Sequence, residues 1–108
     1  MKLIWAEGAQ SDWEDIARYI AVNFGKQAFD KFNTATDEAE KQIKEFPNCG
    51  QLVKSRKHKN LGLRFVLLND LSKMIYHVDG DTIIIDVIWD TRQSPKRLSD
   101  RLNSPEVK

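Results

Sequence analysis

The sequence predicts an α+β fold. An N-terminal strand and an antiparallel two-helix hairpin pack on a small, mainly antiparallel sheet, in the order β-α-α-β-β-β, with a short C-terminal helix. Three observations predict it. Two long stretches carry apolar residues at helical spacing. Three apolar, strand-like runs follow them at residues 61–68, 71–78 and 82–89. The breaks between these segments fall on glycine, proline, asparagine and aspartate, the residues that end helices and turn chains.

Residues 2–6 read as a short first strand. Ala9, Trp13, Ile16, Ala17, Ile20 and Phe24 then make one apolar helical stripe. Ser11, Asp12, Trp13 and Glu14 fit a capping box, but the stripe begins before them, so the helix is expected to start near Gly8. Gly25 ends it, because glycine adopts positive φ without a steric penalty. The second helix runs over residues 26–46, with Ala28, Phe32, Ala35, Ala39, Ile43 and Phe46 as its buried stripe. Pro47 stops it, and Asn48, Cys49 and Gly50 make a turn. A joint as short as Gly25 makes the helices antiparallel neighbours, whose common apolar face needs a sheet to cover it.

In the first downstream run, Leu61, Leu63, Phe65 and Leu67 alternate with Gly62, Arg64, Val66 and Leu68. Asn69-Asp70 and Asp79-Gly80 are the expected two-residue turns, the second of them type I′, with both central residues at positive φ. In the last strand, Ile83, Ile85, Val87 and Trp89 form one face and Ile84, Asp86 and Ile88 the other. Both faces are largely apolar, so this strand is expected at the centre of the sheet. The helix hairpin covers one side. The other lacks cover from the hairpin, which points to a bound partner or to a C-terminal helix over residues 95–102, with Pro95 in its first turn.

Residues 1–108 read as a single domain, with no repeat or low-complexity segment. No apolar run approaches the roughly 20 residues of a membrane span. The apolar N-terminal stretch is too short for a signal peptide, so a cytoplasmic location is expected. Cys49 is the only cysteine, which excludes an internal disulfide. His58 and His77 have no second ligand at metal-binding spacing, and no metal or other cofactor is expected. Asp79 and Asp81 flank a hairpin glycine and read as turn residues. Nucleotide-binding loops and serine-hydrolase motifs are missing.

A net charge of +1 conceals an uneven distribution. Residues 46–69 hold Lys54, Arg56, Lys57, Lys59 and Arg64 and no acid. Such a block suits phosphate or an acidic partner, and equally a solvated loop. Arg64 lies within a strand, Lys73 near the start of the next, and Arg92 just beyond the last. If the strands are adjacent, these three side chains and the basic block surround one surface. That surface would bind an RNA backbone and stabilise charge developing on a phosphate. Cleavage of RNA also needs groups that move protons. Tyr76 and His77 are the candidates in the sheet, but alternation puts them on opposite faces. Trp5, Trp13 and Trp89 fall at positions expected in the core rather than on a base-stacking surface.

Five segments carry a resemblance over nearly the whole chain. They are Ala9-x-x-Asp12-Trp13-x-x-Ile16-x-x-Tyr19-Ile20; Ala28 with Phe32; Pro47-x-x-Gly50; Ile75-Tyr76-His77-Val78-Asp79; and Val87 through Pro95, with Arg92 in its tail. In this order they resemble the RelE/ParE superfamily of toxins from type II toxin–antitoxin systems. The resemblance implies a toxin neutralised by a cognate antitoxin in a hetero-oligomer, with no membrane partner. It leaves the target open. One branch inhibits DNA gyrase; another cuts mRNA on the ribosome. For a nuclease, the resemblance implies Arg92 as the closing arginine and Lys54, Arg56 or Lys73 as its other cations. With Arg64 from the strand reading, Arg92, Arg64 and Lys73 are the expected catalytic cations, and Lys54, Arg56, Lys57 and Lys59 the expected RNA-phosphate contacts. For the gyrase branch, Arg97 and Arg101 are the expected target contacts. Leu98 stands roughly where the nucleases carry a terminal tyrosine, and the charge is low for docking in ribosomal RNA, which favours gyrase. A third reading is a member that only binds antitoxin.

Overall fold

The computed structural model of the chain describes residues 1–53 and 62–90. Along the chain come β1 (Lys2–Trp5), α1 (Glu7–Phe24), α2 (Lys26–Glu45), β2 (Gln51–Leu52), β3 (Arg64–Leu67), β4 (Ser72–Asp79) and β5 (Thr82–Asp90). The five strands form one sheet in the order β1-β5-β4-β3-β2. β1 runs parallel to β5, and every other pairing is antiparallel. The expected architecture is therefore present, with β2 as an additional two-residue edge strand. The expected C-terminal helix falls outside the described residues. None of the described helices is long and apolar enough to cross a membrane.

α1 begins at Glu7, so Ser11 to Glu14 lie inside the helix and do not cap it. Gly25, at φ 91°, ends α1 and leads directly into α2. Its N–H donates to the Ala21 carbonyl, and its own carbonyl accepts from Phe29. The reversal brings Trp13 against Phe32, with ring centroids 5.6 Å apart and planes 21° from parallel. Trp13 Nε1 donates to Thr36 Oγ1 at 2.9 Å, and that hydroxyl donates to the Phe32 carbonyl. Thr36 thus fills a buried position in the stripe that its polarity concealed. Phe24 and Phe46 do not bury as expected; they are 66% and 60% exposed. Each sits at a helix end, Phe24 closing α1 and Phe46 just past α2, where helical periodicity continues on paper but the helix does not.

β5 lies between β1 and β4, an interior position as its two apolar faces predict, although β4 is the middle strand of the five. Its face assignment needs correction. Ile75 pairs with Val87, but Tyr76 pairs with Ile85, so Asp86 is an extra residue in β5. This β-bulge resets the alternation. Ile83, Ile85 and Ile88 join the core under the helices, with Phe32, Ile43, Met74 and Tyr76. Val87 and Trp89 face the other way and pack with Leu63, Ile75, Phe65 and Val53. This second face, for which a bound partner or the C-terminal segment was the expected cover, is closed within the chain itself. Ile75 and Val87 are at most 1% exposed within the chain alone.

The β4–β5 turn is also displaced by one residue. Asp79 pairs with Thr82, which makes Gly80 and Asp81 the central residues. Only Gly80 has positive φ, 64°, and no other residue type in the described chain does. That is the requirement of a type II′ turn rather than type I′. Gly80→Val is expected to destabilise the fold by about 1–2 kcal/mol, the penalty of forcing a side chain into the left-handed region. Urea unfolding measures it, and an unchanged midpoint would show that the turn rearranges freely.

Candidate functional site

The turn that follows α2 rests on two side chains of the sheet. Arg64 and Tyr76 are direct cross-strand partners. Arg64 Nη1 donates to the Gly50 carbonyl at 2.8 Å and the Asn48 carbonyl at 3.3 Å. The Tyr76 hydroxyl donates to the Pro47 carbonyl at 2.8 Å and accepts the Gly50 N–H at 3.0 Å. Tyr76 is fully buried, and its burial pushes the phenol above its ordinary value. The hydroxyl is thus a protonated structural clamp, in line with a core tyrosine. Val53 N–H continues the join by donating to the Leu63 carbonyl.

Lys73 lies on the opposite face. It pairs with Leu67, and its Nζ sits 4.5 Å from the centroid of the Phe65 ring. A cation over an aromatic face is held by the ring quadrupole. Arg64 and Lys73 therefore do not share one surface: the first faces the turn with Tyr76, the second caps Phe65. Arg92, the block Lys54, Arg56, Lys57 and Lys59, and also Arg97, Arg101, His58 and Leu98 lie outside the described residues.

Sequence reasoning missed the most unusual polar contact. His77 Nδ1 lies 2.6 Å from Asp86 Oδ2. Asp86 is 1% exposed, and its Oδ1 has no hydrogen-bond partner among the described residues. The carboxylate hydrogen bond raises the imidazole above its ordinary pKa, against the opposing effect of burial. Burial raises the carboxyl of Asp86, against the opposing pull of the imidazole. A signal was available: an acid flanked by Ile84, Ile85, Val87 and Ile88 has to find a partner when buried. A carboxylate on Nδ1 orients the imidazole for proton transfer at Nε2. Tyr76, on the other face, does not serve as the second group of such a site.

Asp12 performs a different task. β1 ends its pairing at Trp5 with Ile85, and the Ala6 N–H reaches the Ile85 carbonyl. Beyond that point the strand edge has no β1 partner. Asp12 Oδ2 accepts the Ile88 N–H at 3.2 Å, so α1 continues the cover that β1 began. Trp89 is buried, whereas Trp5 and Trp13 are only partly so and pack on the core from its margin. Trp5 Nε1 reaches Glu40 at 3.4 Å.

An apolar groove of about 360 Å³ opens where the helix hairpin meets the β3–β4 turn. Ile16, Ile20 and Phe32 form its floor, and the partly exposed Tyr19, Phe24 and Leu71 its rim. Among the described residues, no group of three or more His, Cys, Asp or Glu side chains converges as a metal site would require.

A family model described as the ParE toxin of the type II toxin–antitoxin system parDE matches residues 3–95. No curated protein matches the chain. Among solved structures, it is similar to the chromosomal ParDE toxin–antitoxin system from P. aeruginosa, with 24% identity and a TM-score of 0.66 over 83% of this chain and 95% of that one. It is also similar to a copper-bound mutant toxin from Helicobacter pylori, with 12% identity and a TM-score of 0.60 over 85% of this chain and 96% of that one. A third likeness is to the YoeB-YefM complex from Staphylococcus aureus, with 20% identity and a TM-score of 0.56 over 82% of this chain and 94% of that one. At these identities the structural likeness is one of fold.

Proposed function

The chain belongs to the ParE toxin family of type II toxin–antitoxin systems, and from that premise we propose that it inhibits DNA gyrase and is held in check by a cognate antitoxin in a hetero-oligomer. One observation carries the choice of target. Arg64 and Lys73, the two described cations that a nuclease would draw on, lie on opposite faces and are engaged by the fold. An RNA-cleaving site needs charge stabilisation and proton transfer converging on one phosphate. The buried Tyr76 hydroxyl, bound to the Pro47–Gly50 turn, adds to the same reading. A toxin that acts by occupying a protein surface has no such requirement.

In this reading Arg97 and Arg101 contact gyrase, and the block Lys54, Arg56, Lys57 and Lys59 faces an acidic segment of the antitoxin. Supercoiling by purified gyrase tests the proposal. The chain is expected to inhibit it, and replacing both Arg97 and Arg101 by Ala is expected to weaken inhibition by roughly tenfold or more, as loss of interface arginines does. Undiminished inhibition in the double variant would remove that surface. If gyrase is unaffected while the chain cuts mRNA on ribosomes and Arg92→Ala abolishes cutting, the target is the ribosome. Absence of both activities, with antitoxin bound, would leave a member that only binds its antitoxin.

A further inference from the structure

The bulge in β5 places a carboxyl group where the fold can least solvate it. Asp86 is the unpaired residue between Tyr76–Ile85 and Ile75–Val87. Its neighbours Ile85 and Val87 are fully buried. A bulge interrupts the hydrogen-bond ladder locally. The contact between Asp86 Oδ2 and His77 Nδ1 restores a tie between the two strands at that point. The carboxylate itself is sealed off, whereas the His77 side chain keeps 18% of its surface. A proton can therefore enter and leave through the imidazole.

The surroundings supply little else. Asp79, on the same strand, is the other described charge that acts on His77, and it too favours the protonated imidazole. Across β5, His77 pairs with Ile84, which pairs with Ile4 of β1. On the β3 side, Arg64 sits opposite Tyr76 and reaches the turn carbonyls instead. Lys73, on the same face of β4, caps Phe65. The charge of Asp86 is thus balanced by His77 or not at all among the described residues, and Oδ1 is left bare in either case.

We propose that His77 and Asp86 form a protonation-controlled latch across the β4–β5 bulge, closed while the pair holds its shared proton and loosened when alkali removes it. With the imidazole charged, the tie is a charge-assisted hydrogen bond between opposite charges. With the imidazole neutral, a buried carboxylate remains without a counter-charge, and burying a lone charge is strongly unfavourable. The sign of the pH dependence follows. Both groups titrate higher in the folded chain than ordinarily, so the folded chain holds more protons than the unfolded one. The stability from His77 is complete below the ordinary imidazole value of about 6.5. It is lost as pH rises through the raised value of the folded state. Loosening would centre on Tyr76 and Asp86 to Ile88, beside the Asp12 contact, and leave the Gly80 end of the hairpin closed.

The chain has only two histidines, so two imidazole signals suffice for a proton NMR titration. The His77 signal is expected to titrate above the ordinary imidazole range. Between about pH 6 and about pH 9, the Tm of the unmodified chain is expected to fall roughly 5 °C further than that of His77→Gln, which retains a donor without the charge. Amide exchange at Asp86 to Ile88 should accelerate with pH beyond its ordinary base catalysis in the unmodified chain alone. In Asp86→Asn, His77 should titrate lower. If that variant does not fold, the comparison with His77→Gln decides alone. Parallel Tm profiles for the unmodified chain and His77→Gln, or a His77 signal at or below the ordinary range, would overturn the latch.

Discussion

Gly50→Val is expected to destabilise the fold by about 3 kcal/mol and to lower Tm by roughly 12 °C or more. A Cβ at this position would meet the Tyr76 hydroxyl at 2.7 Å, and the Phe65 carbonyl and Tyr76 Cε1 at 2.9 Å. Two of these three contacts are to a ring packed in the core, and the third is backbone. Relief requires the Pro47–Gly50 turn to lift, which breaks its bonds to Tyr76 and Arg64. Gly50→Ala should show the same effect in milder form. Combined with Tyr76→Phe, it should cost less than the two single changes added together, because one substitution removes an atom the other strikes. Thermal unfolding of the four proteins measures the coupling. Additive losses would mean that the turn does not press on Tyr76.

Trp13→Ala is expected to cost about 3 kcal/mol, the lower end for removing a large aromatic because the indole is only partly buried. It loses the stack on Phe32, the edge contact with Phe29 and the hydrogen bond to Thr36. The Thr36 hydroxyl keeps its bond to Phe32, so no wholly unpaired group remains. Denaturant unfolding reads the loss, and near-UV circular dichroism reports whether the surviving core stays ordered. A change below about 1 kcal/mol would show that the hairpin is held chiefly by the sheet rather than by this cluster.

The parts of the fold legible in the sequence are those in which neighbours along the chain decide the outcome. Gly25 and Pro47 end helices through their own backbone chemistry, and the stripe from Ala9 to Ile20 follows from helical period alone. The interior place of β5 follows from two apolar faces. Where neighbours do not decide, the reading shifted. A period of two assumes an unbroken ladder, so the bulge at Asp86 moved Val87, Ile88 and Trp89 to the faces opposite those expected. Thr36 is polar and so falls outside an apolar stripe; its two hydrogen-bond partners, Trp13 and the Phe32 carbonyl, let it be buried there. The candidate site was legible in residue type more than in arrangement. Arg64 and Lys73 are strand cations as read, but strand pairing, not spacing, put them on opposite faces. The apolar neighbours of Asp86 signal that it needs a partner, but that the partner is His77 follows only from the strand pairing and the bulge.

The parallel pairing of β1 with β5 also has a consequence for how the chain comes into being. Lys2 meets Thr82, and Trp5 meets Ile85, so β1 waits for β5, the last of the described strands. Chains grow from the N-terminus at about 5–20 residues per second, and contacts distant in sequence close late. Both helices leave the ribosome before the strands that cover their apolar stripes exist. A nascent chain that stops short of Thr82 has neither β5 nor a partner for β1. The sheet therefore closes only once Thr82 to Asp90 have been made, and until then the helices present apolar stripes that β5 does not yet cover.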